Sequence, residues 1–304
     1  MEVNKQVQTR VTSAIFYGAV FVLALFLAYW RPLAASLLWL VLASLMSKEL
    51  ANLLDIAEGH PARWILRLQS MSFLLFIFYG NAWTGLSGNG IFRPLQPILS
   101  RDQGLILLLL FLIWQIVCSV LQVIASFLDD PENGVHSGMR NVVGGFYLSF
   151  PLFAANAILF LVPYGWTWLV VALVTPWASD SLAWMIGRKY GSTKVFPRLS
   201  PNKSLEGCVA ALLGTGVLYI ILYFLALLEV ALPFYYVMGY AVLGICASLF
   251  CQLGDLYESA LKRAKGTKDS GELIPGHGGI LDRFDSSLFL LPFMFLVLAI
   301  GEFI

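Results

Sequence analysis

Nine runs of mostly apolar residues, at about 12–30, 33–51, 65–83, 104–127, 142–162, 166–186, 208–228, 232–253 and 285–303, constrain this chain more than any other feature. Crossing the hydrocarbon core of a bilayer takes about 20 such residues in a helix, and each run is near that length. Barrel strands would be shorter and would alternate polar with apolar residues, so only helices can satisfy the backbone here. Composition agrees: 59% of the 304 residues are hydrophobic and 12% charged, too few polar groups to cover a soluble surface. The expected fold is all-α, a polytopic integral membrane protein with about nine transmembrane helices. The first run follows a polar start, MEVNKQVQTR, and exceeds a secretory signal core in length, so it reads as a retained span. The third run is the weakest, because Arg63 and Arg67 in ARWILRLQ also suit a segment lying along the interface.

Basic residues orient the spans. With nine spans and the N-terminus inside, Lys5, Arg10, Lys48, Arg63, Arg67, Arg140 and the segments 187–206 and 254–284 share the cytoplasmic side. Only Arg31, Arg93 and Arg101 lie across, so the two longest C-terminal polar loops fall on the cytoplasmic face. A net charge of +1, from 19 basic and 18 acidic residues, offers no basic field for nucleic acid. Cys118, Cys208, Cys246 and Cys251 lie in or beside apolar runs without CxxC spacing and read as packing residues.

Residues 1–140 are N-terminal membrane helices joined by polar segments of no recognisable chemistry. Residues 141–304 are C-terminal membrane helices that carry the informative motifs, nearly all beyond 175. No internal repeat marks the inverted halves of a transporter.

Charges inside membrane segments are costly and mark function by default. Asp180, in TPWASDSLAW, stands four residues after Pro176, whose ring frees a backbone carbonyl and bends a helix. Its plainer role is a buried acid satisfied by Ser179, Ser181 or a neighbouring helix; its sharper role is a substrate or ion contact near the cytoplasmic end of the span. The following loop, GRKYGSTKVFPRLSPNKSLEG (187–207), interleaves basic residues with Gly, Ser, Thr and Pro. Alone it would mark topology; beside an inward acid it suits an anionic substrate, with hydroxyls and helix-start amides able to hold phosphate oxygens.

The densest stretch is 251–287, CQLGDLYESALKRAKGTKDSGELIPGHGGILDRFDSS. It joins two spans yet carries Asp255, Glu258, Asp269, Glu272, Asp282 and Asp285. Asp282 and Asp285 share a face at i, i+3, and Asp285 is also a natural cap for the last span. Asp255 is expected to end the preceding span, where a hairpin would bring it near that pair. Carboxylates clustered at a membrane surface suit a hard cation such as Mg²⁺. Gly276, Gly278 and Gly279 around His277 allow tight turns, and the lone His277 lacks the companions a zinc site needs. Together these features describe metal-assisted chemistry on phosphates.

Ser259, Leu261, Lys262, Arg263, Lys268, Asp269, Gly271, Ile274, Pro275, His277, Gly278, Gly279, Ile280, Asp282, Arg283 and Asp285 meet every specified position of one family's C-terminal signature. The chain thereby resembles the phosphatidate cytidylyltransferases, or CDP-diacylglycerol synthases. GDLYES (Gly254–Ser259) and SPNKSLEG (Ser200–Gly207) resemble two further segments of that family. Asp180-Ser181 stands where the family usually has Asp-Thr, a departure that keeps the hydroxyl. The specific motifs cover roughly 175–290, and the N-terminal spans agree by hydropathy only.

The resemblance implies condensation of CTP with phosphatidate to CDP-diacylglycerol and pyrophosphate, requiring Mg²⁺, with a second cation left open. It implies in-line attack of a phosphatidate oxygen on the α-phosphorus without a covalent enzyme intermediate. Metal would fall to Asp255, Asp282 and Asp285; Lys268, Asp269 and His277 join these as catalytic candidates. Asp180, Ser200, Lys203, Glu206, Lys262, Arg263, Gly278, Gly279 and Arg283 are the substrate-binding candidates. The expected setting is a bacterial inner (plasma) membrane with cytoplasmic active-site loops, and a homodimer is left open. The rivals are a CTP-dependent lipid or polyprenol kinase and a secondary transporter, neither of which explains the signature in 259–285.

Overall fold

Capping residues and prolines set the ends of helices that the apolar runs only bracket. The computed structural model describes residues 32–75, 100–225, 237–273 and 278–303. In chain order these form α1 (Pro32–Leu53), α2 (Pro61–Ser70) with a 3₁₀ turn at Met71–Phe73, α3 (Arg101–Asp129), α4 (Gly134–Leu161) and α5 (Gly165–Tyr190). A short hairpin follows, β1 (Lys194–Phe196) and β2 (Ser200–Ser204), then α6 (Leu205–Phe224), α7 (Val237–Ala264) and α8 (Leu281–Phe303). Among the described residues six helices, α3 to α8, are long and apolar enough to cross a membrane. The expected first span, 12–30, lies outside the described residues, as does 76–83 of the third.

Local chemistry explains the boundaries. Ser100 and Gln103 form a reciprocal capping box at the start of α3, and Ser204 caps α6 by accepting from the Gly207 amide at 3.3 Å. His60 caps α2 through Nδ1, with Pro61 at the first helical position. At ten residues α2 is too short to span a bilayer. Its exposed Trp64 and Leu68, with the Arg67 guanidinium 4.9 Å from the Trp64 ring, fit a helix lying along an interface.

Two helices differ from the expected spans in a way that matters for the site. α7 continues to Ala264, so Asp255 lies well inside it instead of ending it. α8 begins at Leu281, which puts Asp285 in its second turn, too late to cap it. The antiparallel hairpin, with Lys194 opposite Ser204 and Phe196 opposite Ser200, is a small addition to an otherwise all-helical chain.

α4 is the most buried helix, with Leu148, Leu152, Phe153, Ile158 and Phe160 at its centre. α3 covers one side through a Phe111–Phe153 stack at 4.1 Å, and α8 covers another through Phe295 against Phe153. α5, α6 and α7 form a second group tied by hydroxyl pairs across helices: Thr175 with Tyr219 at 2.9 Å, and Ser179 with Ser248 at 2.8 Å. α8 packs on α7 as well as α4 and so joins the groups. It approaches α7 closely at Gly254, where an added Cβ would stand 2.5 Å from the Asp285 carbonyl oxygen.

The polar connections gather at one end. Lys265 at the tail of α7 pairs with Asp55 after α1, and His60 Nε2 lies 3.5 Å from Asp129 Oδ2 at the end of α3. Lys203 of the hairpin reaches α7 at the same end. These contacts bring together the segments that positive-inside patterning assigns to one side.

Candidate active site

The close packing at Gly254 carries its neighbour Asp255 toward Asp285, one helix across. Asp255 Oδ2 pairs with Lys203 Nζ at 2.6 Å, and Oδ1 accepts from Ser259 Oγ at 3.3 Å. Asp180 on α5 lies within electrostatic reach of both Asp255 and Lys203, and Asp285 within reach of Asp255 and Asp180. Acids from three separate helices thus lie within reach of one another, with Lys203 beside Asp255 and Asp180. Of the partners expected for Asp180 in its plainer role, Ser179 bonds to Ser248 instead.

A second polar group lies one to two turns further along α7. Lys262 Nζ bridges Glu258 Oε2 at 2.7 Å and Asp282 Oδ1 at 2.6 Å. Glu258 is fully buried, and its Oε1, like the hydroxyls of Tyr147 and Ser286, has no hydrogen-bond partner among the described residues. Asp282 Oδ2 accepts from the Ser270 amide and hydroxyl, each at 2.9 Å, and from the Gly279 amide at 2.8 Å. Gly278 makes this wrap possible: its φ is +84°, and a Cβ there would stand 2.7 Å from Asp282 Oδ2.

The other sequence candidates divide clearly. Glu206 accepts from Ser192 Oγ at 2.5 Å and the Thr193 amide at 3.2 Å, so it fastens the hairpin to α6. Ser200 opens β2 opposite Phe196. Arg263 donates to the Thr267 carbonyl at 3.1 Å and closes the turn after α7. Lys268, Asp269 and Arg283 are exposed around the signature loop, and His277 lies outside the described residues. Sequence reasoning missed Glu49. This α1 carboxylate accepts from Ser270 Oγ at 3.1 Å, the Ile280 amide at 3.0 Å and the Leu281 amide at 2.8 Å. The signal was present, an acid inside an apolar run, but the Lys48-Glu49 pair reads as topology when only its basic member is weighed.

The donors here are all oxygens, and five carboxylates (Asp180, Asp255, Glu258, Asp282, Asp285) face two ammonium groups. That excess of hard negative donors suits Mg²⁺. Among the described residues no three acidic, His or Cys side chains converge as a ready-made metal cage. Asp282 is more heavily engaged than Asp255, with four protein donors on its two oxygens against two on Asp255. Magnesium commonly takes one or two carboxylates and completes its shell with water and substrate phosphates, so the Asp255–Asp285 side of the cluster fits such an ion.

The chain is similar to several known proteins. A 137-residue stretch is 44% identical to phosphatidate cytidylyltransferase of Bacillus subtilis, covering 45% of this chain and 49% of that protein. A 167-residue stretch is 41% identical to phosphatidate cytidylyltransferase of Thermotoga maritima, covering 52% and 56%. The corresponding protein of Staphylococcus saprophyticus is 40% identical over 134 residues, 44% of this chain and 50% of its own length. The chain spans about half the length of the curated relatives it matches. Its match to the family itself is nearly end to end: over residues 8–301 the chain belongs to the cytidylyltransferase family.

Proposed function

We propose that this protein transfers the cytidylyl group of CTP to phosphatidate, forming CDP-diacylglycerol and releasing pyrophosphate, from the cytoplasmic side of a bacterial inner membrane. The observation that carries this reading is the meeting of Lys203, from SPNKSLEG, with Asp255, from GDLYES, beside Asp285, from ILDRFD. Three segments far apart in sequence converge where apolar helices end and a polar surface begins. A lipid phosphate arrives at such a place from the bilayer, and a nucleotide triphosphate from water. The relatives named above carry the same activity in their names.

In this reading Lys203 and Lys262, already oriented by carboxylates, hold phosphate oxygens, and Lys268, Arg263 and Arg283 add positive charge at the exposed rim. A phosphatidate oxygen attacks the α-phosphorus in line; the new P–O bond forms as the bond to the β-phosphate oxygen breaks, and pyrophosphate leaves. Asp255 and Asp285 would hold Mg²⁺, whose charge offsets that developing on the transferring and leaving phosphates. The fixed lysines need no reorganisation as charge develops, which is where electrostatic stabilisation is most effective.

Purified protein in detergent, given phosphatidate and CTP labelled either at the α- or the γ-phosphate, tests the proposal. Label should enter the lipid only from the α-position and only with Mg²⁺ present. Lipid labelling from the γ-position with diacylglycerol or a polyprenol as acceptor would make the protein a kinase instead.

A further inference from the structure

Glu49 belongs to α1, in the half of the chain without recognised motifs, yet its side chain is 5% exposed and forms no ion pair among the described residues. A buried carboxylate without a cation needs other compensation. Here the compensation comes from the signature loop and α8. The Ile280 and Leu281 amides that point at Glu49 are among the unpaired donors at the start of α8, where the helix dipole also favours negative charge. Glycines shape the slot: a Cβ on Gly271 would stand 2.8 Å from Glu49 Oε1, and one on Gly279 would collide with both Glu49 and Ser270.

Ser270 couples this anchor to the site. Its hydroxyl lies 3.1 Å from Glu49 Oε2 and 2.9 Å from Asp282 Oδ2, and one proton can serve only one of them at a time. Asp282 in turn holds Lys262. The chain of contacts therefore runs from α1, through Ser270 and the first turn of α8, to Asp282 and Lys262.

We infer that Glu49 is a positioning residue: it pins Ser270 and the start of α8 so that Asp282, Lys262 and Asp285 keep their places opposite Asp255 and Lys203. The inference rests on the reading of this cluster as the cytidylyl-transfer site. A glutamine at 49 keeps one acceptor oxygen but turns an NH₂ toward a backbone N–H donor, so at least one of the three bonds is lost together with the charge.

Glu49→Gln, purified in detergent, is read two ways: hydrogen–deuterium exchange of peptides covering 278–284, and kinetics with CTP and phosphatidate. Exchange there should quicken by at least about tenfold, the scale of one lost charged hydrogen bond, with helical content unchanged. The KM for CTP should rise at least about fivefold while kcat falls, because displaced phosphate-binding groups weaken binding, whereas a mere loss of active protein lowers kcat alone. Unchanged exchange overturns the inference, and so does faster exchange with an unchanged KM, which would leave Glu49 a structural cap. Should Glu49→Gln fail to fold, Ser270→Ala removes only the coupling hydroxyl and is judged by the same two readouts. Absence of cytidylyl transfer by the unaltered protein would sink the proposed function, and the exchange result would still decide whether Glu49 anchors the loop.

Discussion

Lys203 in the hairpin and Asp255 in the interior of α7 form an ion pair at 2.6 Å, and the same ammonium reaches the Gln252 carbonyl at 3.5 Å. An ammonium carries three donors, so this geometry orients Lys203 and still leaves a donor for a phosphate oxygen. The short strands have a purpose here: β2 carries Lys203 back over the helix ends, where a loose loop would leave it in solvent.

Lys203→Gln should therefore reduce kcat/KM by at least about tenfold, the scale of a lost charged contact of roughly 1.5–3 kcal/mol. Lys189→Gln is the control. Its ammonium lies on the exposed end of α5, 5.0 Å from the ring of Tyr190, and a screened surface charge should cost less than about threefold. Equal losses in the two variants would mean that the loop acts only through its summed charge.

The two halves of the acid cluster should respond differently to Mg²⁺. Asp255→Asn and Asp285→Asn remove charge from the side that fits an ion, so both should raise the Mg²⁺ concentration for half-maximal activity by about tenfold or more. Asp282→Asn weakens the Lys262 pair and the wrap of Ser270 and Gly279, so its activity should stay low at every Mg²⁺ concentration. Rescue of Asp282→Asn by excess Mg²⁺ would return that residue to the metal set.

Much of this arrangement was legible in the sequence, and the exceptions have physical causes. Apolar runs reveal where a helix is in lipid but not where it ends, because a helix keeps its hydrogen bonds after it becomes polar. For that reason α7 outran its apolar segment by more than two turns, and Asp255 moved from a helix end to its interior. Spacing makes Asp282 and Asp285 one pair on a shared face, yet Lys262, Ser270 and Gly279 hold the first while Asp255 and Asp180 lie within reach of the second. Glu49 was out of reach for another reason: its partners lie over 220 positions away, and no local spacing encodes them.

Membrane orientation can be checked by labelling single cysteines in a background without the native four. Ser192 and Glu272 are both exposed on the polar end and should react only with reagent applied from the cytoplasmic side. Ser270, two residues from Glu272, is a poor reporter because it is 6% exposed and bonded to two carboxylates. Reaction of either exposed position from outside would invert the topology and place the site on the wrong face for cytoplasmic CTP.

Lys262 offers a test of stability separate from chemistry. Lys262→Met leaves Glu258 fully buried with no cation on Oε2 and no partner on Oε1. Breaking a buried pair by removing one member typically costs about 3–5 kcal/mol, and the melting temperature in detergent should fall by roughly 5 °C or more. Asp282 contributes less to that loss, because Oδ2 keeps its three donors from Ser270 and Gly279. The double variant Lys262→Met with Glu258→Gln removes the stranded charge and should recover most of the melting temperature. Activity should not return with it, since the ammonium assigned to substrate phosphate is still missing. A single variant that melts with the unaltered protein would show that Glu258 is neutral without Lys262, and the bridge would then owe its place to catalysis alone.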